Sequence, residues 1–204
     1  MNDYMKNAYE LCLYLQKNGV LHSKRLIQSF NAIDRKDFVP SHLQAESYAD
    51  YPLHIGENQT ISQPYTVAFM LELLELNKED TALDIGCGSG WTTALLAYIV
   101  KDVKALERVP SLLDLAKNNL KKYTFQNLHL ALAGDRLGCP GESFDKILVS
   151  ASANELPMDL VQMLRPNGIM VIPIRNKISV IIKGYGNDFR QKDFFGFSFV
   201  PLIY

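Results

Sequence analysis

The chain has almost no excess of charge of either sign. Its 204 residues include 21 lysines and arginines against 22 aspartates and glutamates, which gives a net charge of -1 at neutral pH. Proteins that bind a phosphate backbone carry a basic face, so we expect no nucleic-acid partner. No apolar run reaches the ~18 residues of a membrane span, so no membrane association is expected. The first residues mix acidic, basic and apolar side chains, which is not the pattern of a secretory signal.

Cysteine and histidine are also scarce. Cys12, Cys87 and Cys139 are odd in number, lie far apart and form no C-x-x-C pair. We therefore expect no disulfide framework, and a reducing cytoplasm is the default location. The four histidines show no ligand spacing, so no metal site is expected. The single tryptophan, Trp91, is expected to pack a helix onto a sheet.

The first third of the chain is predicted to be helical. One amphipathic stretch ends at Gly19, a residue type that suits a helix C-terminus. A second stretch begins at Ser23, a residue type preferred at N-caps, and places apolar residues on one face. From "DFVP" the chain is expected to be irregular until Pro64, which suits the first turn of a third helix.

From Thr81 onward, short apolar runs alternate with helical stretches. This alternation is typical of βαβ units and a parallel sheet. No helical stretch separates the last two runs, "KISVIIKGYG" and "FFGFSFVPLIY", so we predict an antiparallel hairpin at the sheet edge. The predicted fold class is α/β: a doubly wound, mostly parallel sheet with an antiparallel C-terminal hairpin and an N-terminal helical extension.

The clearest local motif is "LDIGCGSGW", in which a strand leads into Gly86, Gly88 and Gly90 and then into a helix. Glycines let the backbone approach a ligand closely, and a helix N-terminus offers unpaired N–H groups. Glu107 ends the next strand, where a carboxylate meets the ribose hydroxyls of a nucleoside. The combination favours a nucleoside site over the alternative, a corner that needs glycines only for packing.

The spacing of the glycines indicates which cofactor is bound. The dinucleotide fingerprint is G-x-G-x-x-G, whereas this chain has G-x-G-x-G preceded by Asp84. We therefore favour S-adenosylmethionine over NAD, since Asp84 can hold the cationic part of a methionine tail. Asp135 follows the third strand and is predicted to accept from the adenine amino group. An Asx-type turn is the equal alternative for Asp135.

A second motif is "TISQPY", Thr60 to Tyr65. Hydrogen-bonding side chains crowd a helix entrance that needs only one cap. The spacing alone favours Ser62 as that cap, and the alternative is that Ser62 faces a ligand.

Six stretches cover nearly the whole chain: "AIDRKDFVP", "YADYPLHIGENQTISQPYTVAFMLELLEL", "ALDIGCGSGW", "LERVPSLLDLAKNNL", "FDKILVSASANELPMDLVQMLRPNGIMVIPI" and "FSFVPLI". In order and spacing they resemble the bacterial protein-L-isoaspartate O-methyltransferases, a family with the Rossmann-like class I methyltransferase fold. "TISQPY" is the most specific of them, because the glycine motif alone indicates only a class I methyltransferase.

The resemblance implies S-adenosylmethionine-dependent methylation of the free carboxylate of L-isoaspartyl residues in damaged peptides and proteins. By resemblance, Ser62 is the active-site residue that orients the acceptor, and Val200 lies in the segment that holds the peptide. The expected cofactor-binding residues are Thr60, Ile61, Asp84, Gly86, Gly88, Glu107, Asp135 and Arg136. We expect one domain and a monomer, with a helical extension and substrate loop over 1–63 and the cofactor-binding core over 64–204.

The chain departs from the family at three places, which bear on cofactor affinity and pocket closure. The loop "GDRLG" is one residue shorter and has Arg136 in place of a glycine, Asn154 stands where proline is common, and the chain ends soon after "FVPLI". Two other functions stay open at this point. One is a carboxyl methyltransferase for an ordinary aspartate of one dedicated peptide, and the other is a cofactor-binding or partner-binding module without catalysis.

Overall fold

A computed structural model describes residues 5–186 and 188–203 of the chain. The helices are α1 (Ala8–Lys17), α2 (Lys24–Ala32), α3 (Pro64–Leu73), α4 (Trp91–Ile99), α5 (Pro110–Leu120) and α6 (Met158–Met163), with 3-10 helices at Arg35–Phe38 and Ser41–Glu46. The strands are β1 (Leu53–Gly56), β2 (Gln59–Ile61), β3 (Thr81–Ile85), β4 (Asp102–Glu107), β5 (Leu128–Leu132), β6 (Phe144–Val149), β7 (Leu164–Ile174), β8 (Lys177–Lys183) and β9 (Phe189–Phe195). None of the helices in the described part of the chain is long and apolar enough to cross a bilayer.

The main sheet has seven strands in the order β5-β4-β3-β6-β7-β8-β9. The first five of these strands pair in parallel, and β8 and β9 pair antiparallel to their neighbours. The predicted α/β class, the parallel sheet and the antiparallel C-terminal hairpin are therefore confirmed. The chain order reverses at β3, because β4 lies on one side of it and β6 on the other. In open α/β sheets, ligands bind beyond the carboxyl ends of the strands at such a point.

Alternate side chains of β3 point to opposite faces of the sheet, as the strand period requires. Ala82 belongs to a core on the face that carries α1 to α5, whereas Leu83 and Ile85 belong to a second core with α6. Trp91 lies in the first core, where its ring meets Phe30 edge to face at 5.6 Å between centroids. The ring contact is with α2, and the predicted packing of Trp91 onto the sheet stays a prediction.

The second strand of the C-terminal hairpin begins and ends earlier than predicted. "FFGFSFVPLIY" was expected to form it, but β9 spans Phe189–Phe195 and shares only two residues with that stretch. The chain then crosses the carboxyl ends of the parallel strands, where Val200 O accepts from Ser152 N at 2.8 Å and Leu202 N donates to Ser152 O at 2.8 Å. Val200 is therefore next to the site rather than in the hairpin. Tyr204 lies outside the described residues.

The segment before Pro64, expected to be irregular, contains a small antiparallel hairpin of β1 and β2. Its turn residues, Glu57 and Asn58, have φ angles of 52° and 55°. Positive φ at both central residues is the conformation of a two-residue hairpin turn. Glu57 Oε1 also accepts from Ser111 Oγ at 2.9 Å, which joins the hairpin tip to α5.

The helix ends show which predicted caps form. Gly19 follows the C-cap of α1 with a φ of 71°, so its predicted role is confirmed. Ser23 is at the N-cap of α2, but its side chain makes no capping hydrogen bond. Pro64 is the first residue of α3, as predicted. The first turn of that helix is capped from a distance, because Asp50 Oδ1 accepts from Tyr65 N at 2.8 Å.

Replacing Asp50 by alanine should lower the free energy of unfolding by at least about 0.5–2 kcal/mol, since it leaves the Tyr65 N–H and the Tyr14 hydroxyl without their acceptor. Ser23→Ala is the matched control, because it removes a side chain at an N-cap position that makes no capping bond. Its effect should stay within about 0.5 kcal/mol. Urea unfolding of the three proteins measures both values, and equal losses in the two variants would contradict the capping role of Asp50.

Candidate active site

A cleft lies at the carboxyl ends of the parallel strands, at the point where the strand order reverses. Its lining comes from residues 59–62, 85–89, 91–92, 106–109, 133–134, 136–138, 150–151 and 200–203, with single residues from α3 and α5. The structure therefore brings together eight of the predicted site residues: Thr60, Ile61, Ser62, Gly86, Gly88, Glu107, Arg136 and Val200. Asp84 and Asp135 are not among the lining residues.

The glycine turn serves both purposes that the sequence left open, since one glycine lies in a ligand cleft and another allows close packing. Gly88 has a φ of 54°, and a Cβ there would lie 3.2 Å from Ile55 Cδ1 of the β1–β2 hairpin. Gly90 has a φ of 96°, and its Cβ would lie 3.1 Å from Leu120 Cδ1 of α5. Gly90 thus allows α4 to pack closely on α5, whereas Gly88 lies in the wall of the cleft.

Glu107 holds the glycine turn in place. Its Oε2 accepts from Gly88 N at 2.8 Å, and its Oε1 accepts from Val109 N at 2.9 Å. The side chain is buried yet borders the cleft. A carboxylate has about four lone-pair sites. With two of them used by backbone N–H groups, the other two can accept from hydroxyls of a ligand.

Asp84 is fully buried beneath the glycine turn and faces α4. Its Oδ2 accepts from Thr93 Oγ1 at 2.6 Å, whereas its Oδ1 has no hydrogen-bond partner among residues 5–186 and 188–203. Burial raises the pKa of Asp84 to about 6. The side chain does not reach the cleft surface, so its role toward a cofactor stays a prediction.

The loop after β5 places its two predicted residues differently. Arg136 borders the cleft, whereas Asp135 is exposed and outside the lining. The Asx-type turn stays the alternative prediction for Asp135. The contact of Asp135 with adenine stays a prediction.

Ser62 lies in the cleft wall immediately before α3. Asp50 caps that helix and Gln63 occupies the N-cap position, so the capping alternative for Ser62 is not what the structure shows. The Ser62 carbonyl accepts from Arg35 Nη2 at 3.1 Å. Its hydroxyl is half-buried and bonds to no other described residue, which leaves it available to a ligand at the cleft surface.

Several lining residues were missed by sequence reasoning. Arg108 and Val109 directly follow Glu107, and Leu112 lies one turn further into α5. The rule that places a ligand beyond strand ends could have indicated Arg108 and Val109. Leu112 and Leu137 carry no such signal, because apolar residues at these positions are indistinguishable from ordinary core residues. Trp91 also lines the cleft.

A switch-point cleft, a glycine turn between a strand and a helix, and an acid at the end of the neighbouring strand form a nucleoside-cofactor site, and the G-x-G-x-G spacing after Asp84 makes it the site of a class I S-adenosylmethionine-dependent methyltransferase. The sequence model of one such family, protein-L-isoaspartate(D-aspartate) O-methyltransferase, matches residues 6–204. The chain belongs to this family and is a methyltransferase.

Similar proteins cover most of the chain. It is 37% identical over 196 residues to the protein-L-isoaspartate O-methyltransferase of Pyrococcus horikoshii, covering 93% of this chain and 89% of that one. It is 38% identical over 207 residues to the enzyme of the same name from Petrotoga mobilis, covering 98% and 97%. A crystal structure from Plasmodium falciparum, of the same family and in complex with S-adenosyl-L-homocysteine, superposes with a TM-score of 0.87 at 26% identity, covering 98% of this chain and 99% of that one.

Glu107→Ala should weaken binding of S-adenosylhomocysteine by about 1–3 kcal/mol, because it removes a charged acceptor and frees two turn N–H groups. The matched control is Asp102→Ala, at the opposite end of the same strand, where the carboxylate contacts His129. That variant should bind like the parent. Calorimetric titration measures all three affinities, and a Glu107→Ala affinity equal to the parent's would refute the assignment.

Asp84→Asn should change how stability depends on pH. A native pKa of about 6 means that the folded state binds more protons than the unfolded state between about pH 4 and 6. Ionisation of Asp84 therefore lowers stability as the pH rises through this window. Asparagine cannot ionise, so the difference in unfolding free energy between variant and parent should grow in favour of the variant from pH 4 to 6 and then level off. Urea unfolding at several pH values tests this, and a constant difference would contradict it.

Proposed function

We propose that this chain transfers the methyl group of S-adenosylmethionine to the free carboxylate of L-isoaspartyl residues in damaged peptides and proteins. The observation that carries the proposal is the Ser62 hydroxyl. It lies in the wall of the cleft that also contains the glycine turn, and no other described residue takes up its hydrogen-bonding capacity. Family membership supports the choice of acceptor.

The cleft offers the cofactor both hydrogen-bonding groups and apolar walls. Glu107 would hold the ribose hydroxyls, and the backbone at Gly86 and Gly88 would lie against the ligand, with Thr60 and Ile61 on the facing side. Val109, Leu112 and Leu137 supply apolar surface for a base. S-adenosylmethionine, when bound, supplies a methyl group on a positively charged sulfur.

The acceptor needs no general base. A free aspartyl-type carboxylate has a pKa near ~3.9 and is ionised at neutral pH. Charge is neutralised as an anion meets a sulfonium, so exclusion of water and alignment of the two groups are what the protein must provide. The Ser62 hydroxyl would donate to one carboxylate oxygen and leave the other to attack.

The segment around Val200 would hold the peptide backbone. Its carbonyl already accepts from Ser152 N, and Leu202 N already donates to Ser152 O. Because hydrogen bonds of an extended chain alternate between its two edges, the opposite edge of this segment offers a bound peptide the Pro201 carbonyl, which is an acceptor only. Ser62 and this segment would then contact the acceptor from two sides of the cleft.

The location and the oligomeric state stay predictions. Cys12, Cys87 and Cys139 are all unpaired and buried, which supports the expectation of a reducing cytoplasm. A monomer remains the expectation.

The direct test is transfer of labelled methyl from S-adenosylmethionine to a matched pair of peptides, one with isoaspartate and one with aspartate at the same position. We expect label on the isoaspartyl peptide only. Preference for the aspartyl peptide would favour a dedicated aspartyl substrate instead. Binding of S-adenosylhomocysteine without transfer to either peptide would favour a binding module, and binding of NAD alone would overturn the cofactor assignment.

Ser62→Ala should lower methyl transfer by about 10- to 150-fold, because one hydrogen bond to a charged acceptor contributes roughly 1.5–3 kcal/mol in the transition state. The affinity for S-adenosylhomocysteine should remain near that of the parent, and so should the thermal stability, since Asp50 caps α3. Ser62→Thr keeps the hydroxyl but adds a methyl group that should crowd the acceptor and raise KM. A fully active Ser62→Ala enzyme would exclude the orienting role.

A further inference from the structure

Arg35 is a fully buried arginine whose guanidinium group binds four backbone carbonyls. Nη1 donates to Ser47 O at 2.7 Å and to Ala49 O at 3.3 Å. Nη2 donates to Tyr51 O at 3.1 Å and to Ser62 O at 3.1 Å. Each of the two arms therefore holds two points of the segment that precedes α3.

The charge of Arg35 is compensated by carbonyl groups and an aromatic ring rather than by a carboxylate. No carboxylate oxygen of the described residues lies within ion-pair distance of it. Its charge is met by the four carbonyl dipoles and by the face of Trp91, whose ring centroid lies 5.4 Å from the guanidinium carbon. Burial lowers the pKa of Arg35 to about 9, with the nearby Asp50 acting in the opposite direction, so the group is charged at neutral pH.

The partners of Arg35 belong to the two halves of the cleft. Ser62 carries the hydroxyl assigned to the acceptor, and Trp91 is the first residue of the helix that follows the glycine turn. Both residues line the cleft. The guanidinium thus lies between the acceptor wall and the cofactor wall and contacts each of them, although Arg35 itself does not line the cleft.

We propose that Arg35 is a positioning residue for methyl transfer, which fixes the Ser62 backbone against the helix after the glycine turn and so sets the place of the acceptor relative to the cofactor. The inference rests on the proposed role of Ser62. Arg35 touches neither substrate, and it acts through the Ser62 carbonyl. A displacement of about 1 Å in such a site can cost about 100-fold in rate.

Arginine is required for this geometry because its planar fork presents two arms with fixed directions. A lysine at this position keeps the positive charge but offers one ammonium group, which cannot serve carbonyls on both sides of the fork. Arg35→Lys is therefore the informative variant. Tyr48→Phe is the control, because it removes a buried hydrogen bond from the same segment, Tyr48 OH to Asp34 at 2.9 Å, without touching Ser62.

The experiment measures kcat and KM for the isoaspartyl peptide, the dissociation constant of S-adenosylhomocysteine and the folded fraction of each protein. Arg35→Lys should lose about 10- to 100-fold in kcat/KM per folded molecule. Its cofactor affinity should change much less, and Tyr48→Phe should keep the parental kcat/KM. In a double-mutant cycle, Arg35→Lys should cost much less in a Ser62→Ala background, since both changes remove the same positioning.

With an active parent enzyme, three outcomes overturn the proposal: parental kcat/KM in Arg35→Lys, a loss that follows only the unfolded fraction, or fully additive effects in the cycle. Failure of the proposed function is a different result, namely a parent enzyme that methylates no isoaspartyl peptide. In that case amide hydrogen exchange tests whether Arg35 holds the backbone of the segment before α3. Residues 47–62 should exchange faster in Arg35→Lys than in Tyr48→Phe, and equal exchange would overturn the proposal.

Discussion

The conformation of the cofactor-side wall depends on one carboxylate. Glu107 accepts from the N–H groups of Gly88 and Val109, and so joins the turn after β3 to the start of the helix after β4. The pairing of β3 with β4 extends into the glycine turn only as far as Gly86 N and Cys87 N, which both donate to Leu106 O. Glu107, the last residue of β4, holds both loops further along through the bonds of its side chain to their backbone N–H groups. The same side chain then faces the cleft, so structural support and ligand contact are combined in one residue.

On the acceptor side of the cleft, a positively charged side chain holds backbone groups in the same manner. Arg35 gathers four carbonyl groups of a segment that has little regular structure, where Glu107 gathers two N–H groups of a turn. Both are buried ions bound to backbone rather than to a counter-ion. The partners are main-chain groups, so neither wall relies on a second charged side chain to hold its shape.

Much of the fold could be predicted because its signals are local. Alternating strands and helices gave the parallel sheet, and Gly19 and Pro64 marked helix ends correctly. The end of the C-terminal hairpin could not be placed, because residues 190–193 are polar and most of the apolar run that follows them crosses the site instead. Ser62 also shows that local sequence signals are insufficient. Its position before Pro64 is that of a cap, and only the distant Asp50, brought in by tertiary structure, shows that the cap is supplied elsewhere. Leu112 and Leu137 look like core residues in the sequence and become cleft walls only in three dimensions.

Trp91 is the only tryptophan of the chain, and it lines the cleft while its ring lies against the Arg35 guanidinium. Its indole Nε1 is buried and has no hydrogen-bond partner among the described residues. Indole emission from this protein therefore originates at a single place, between the cofactor wall and the acceptor wall. The tryptophan emission, excited selectively over that of the ten tyrosines, is a built-in optical probe of the cleft and reports on this one site without any label.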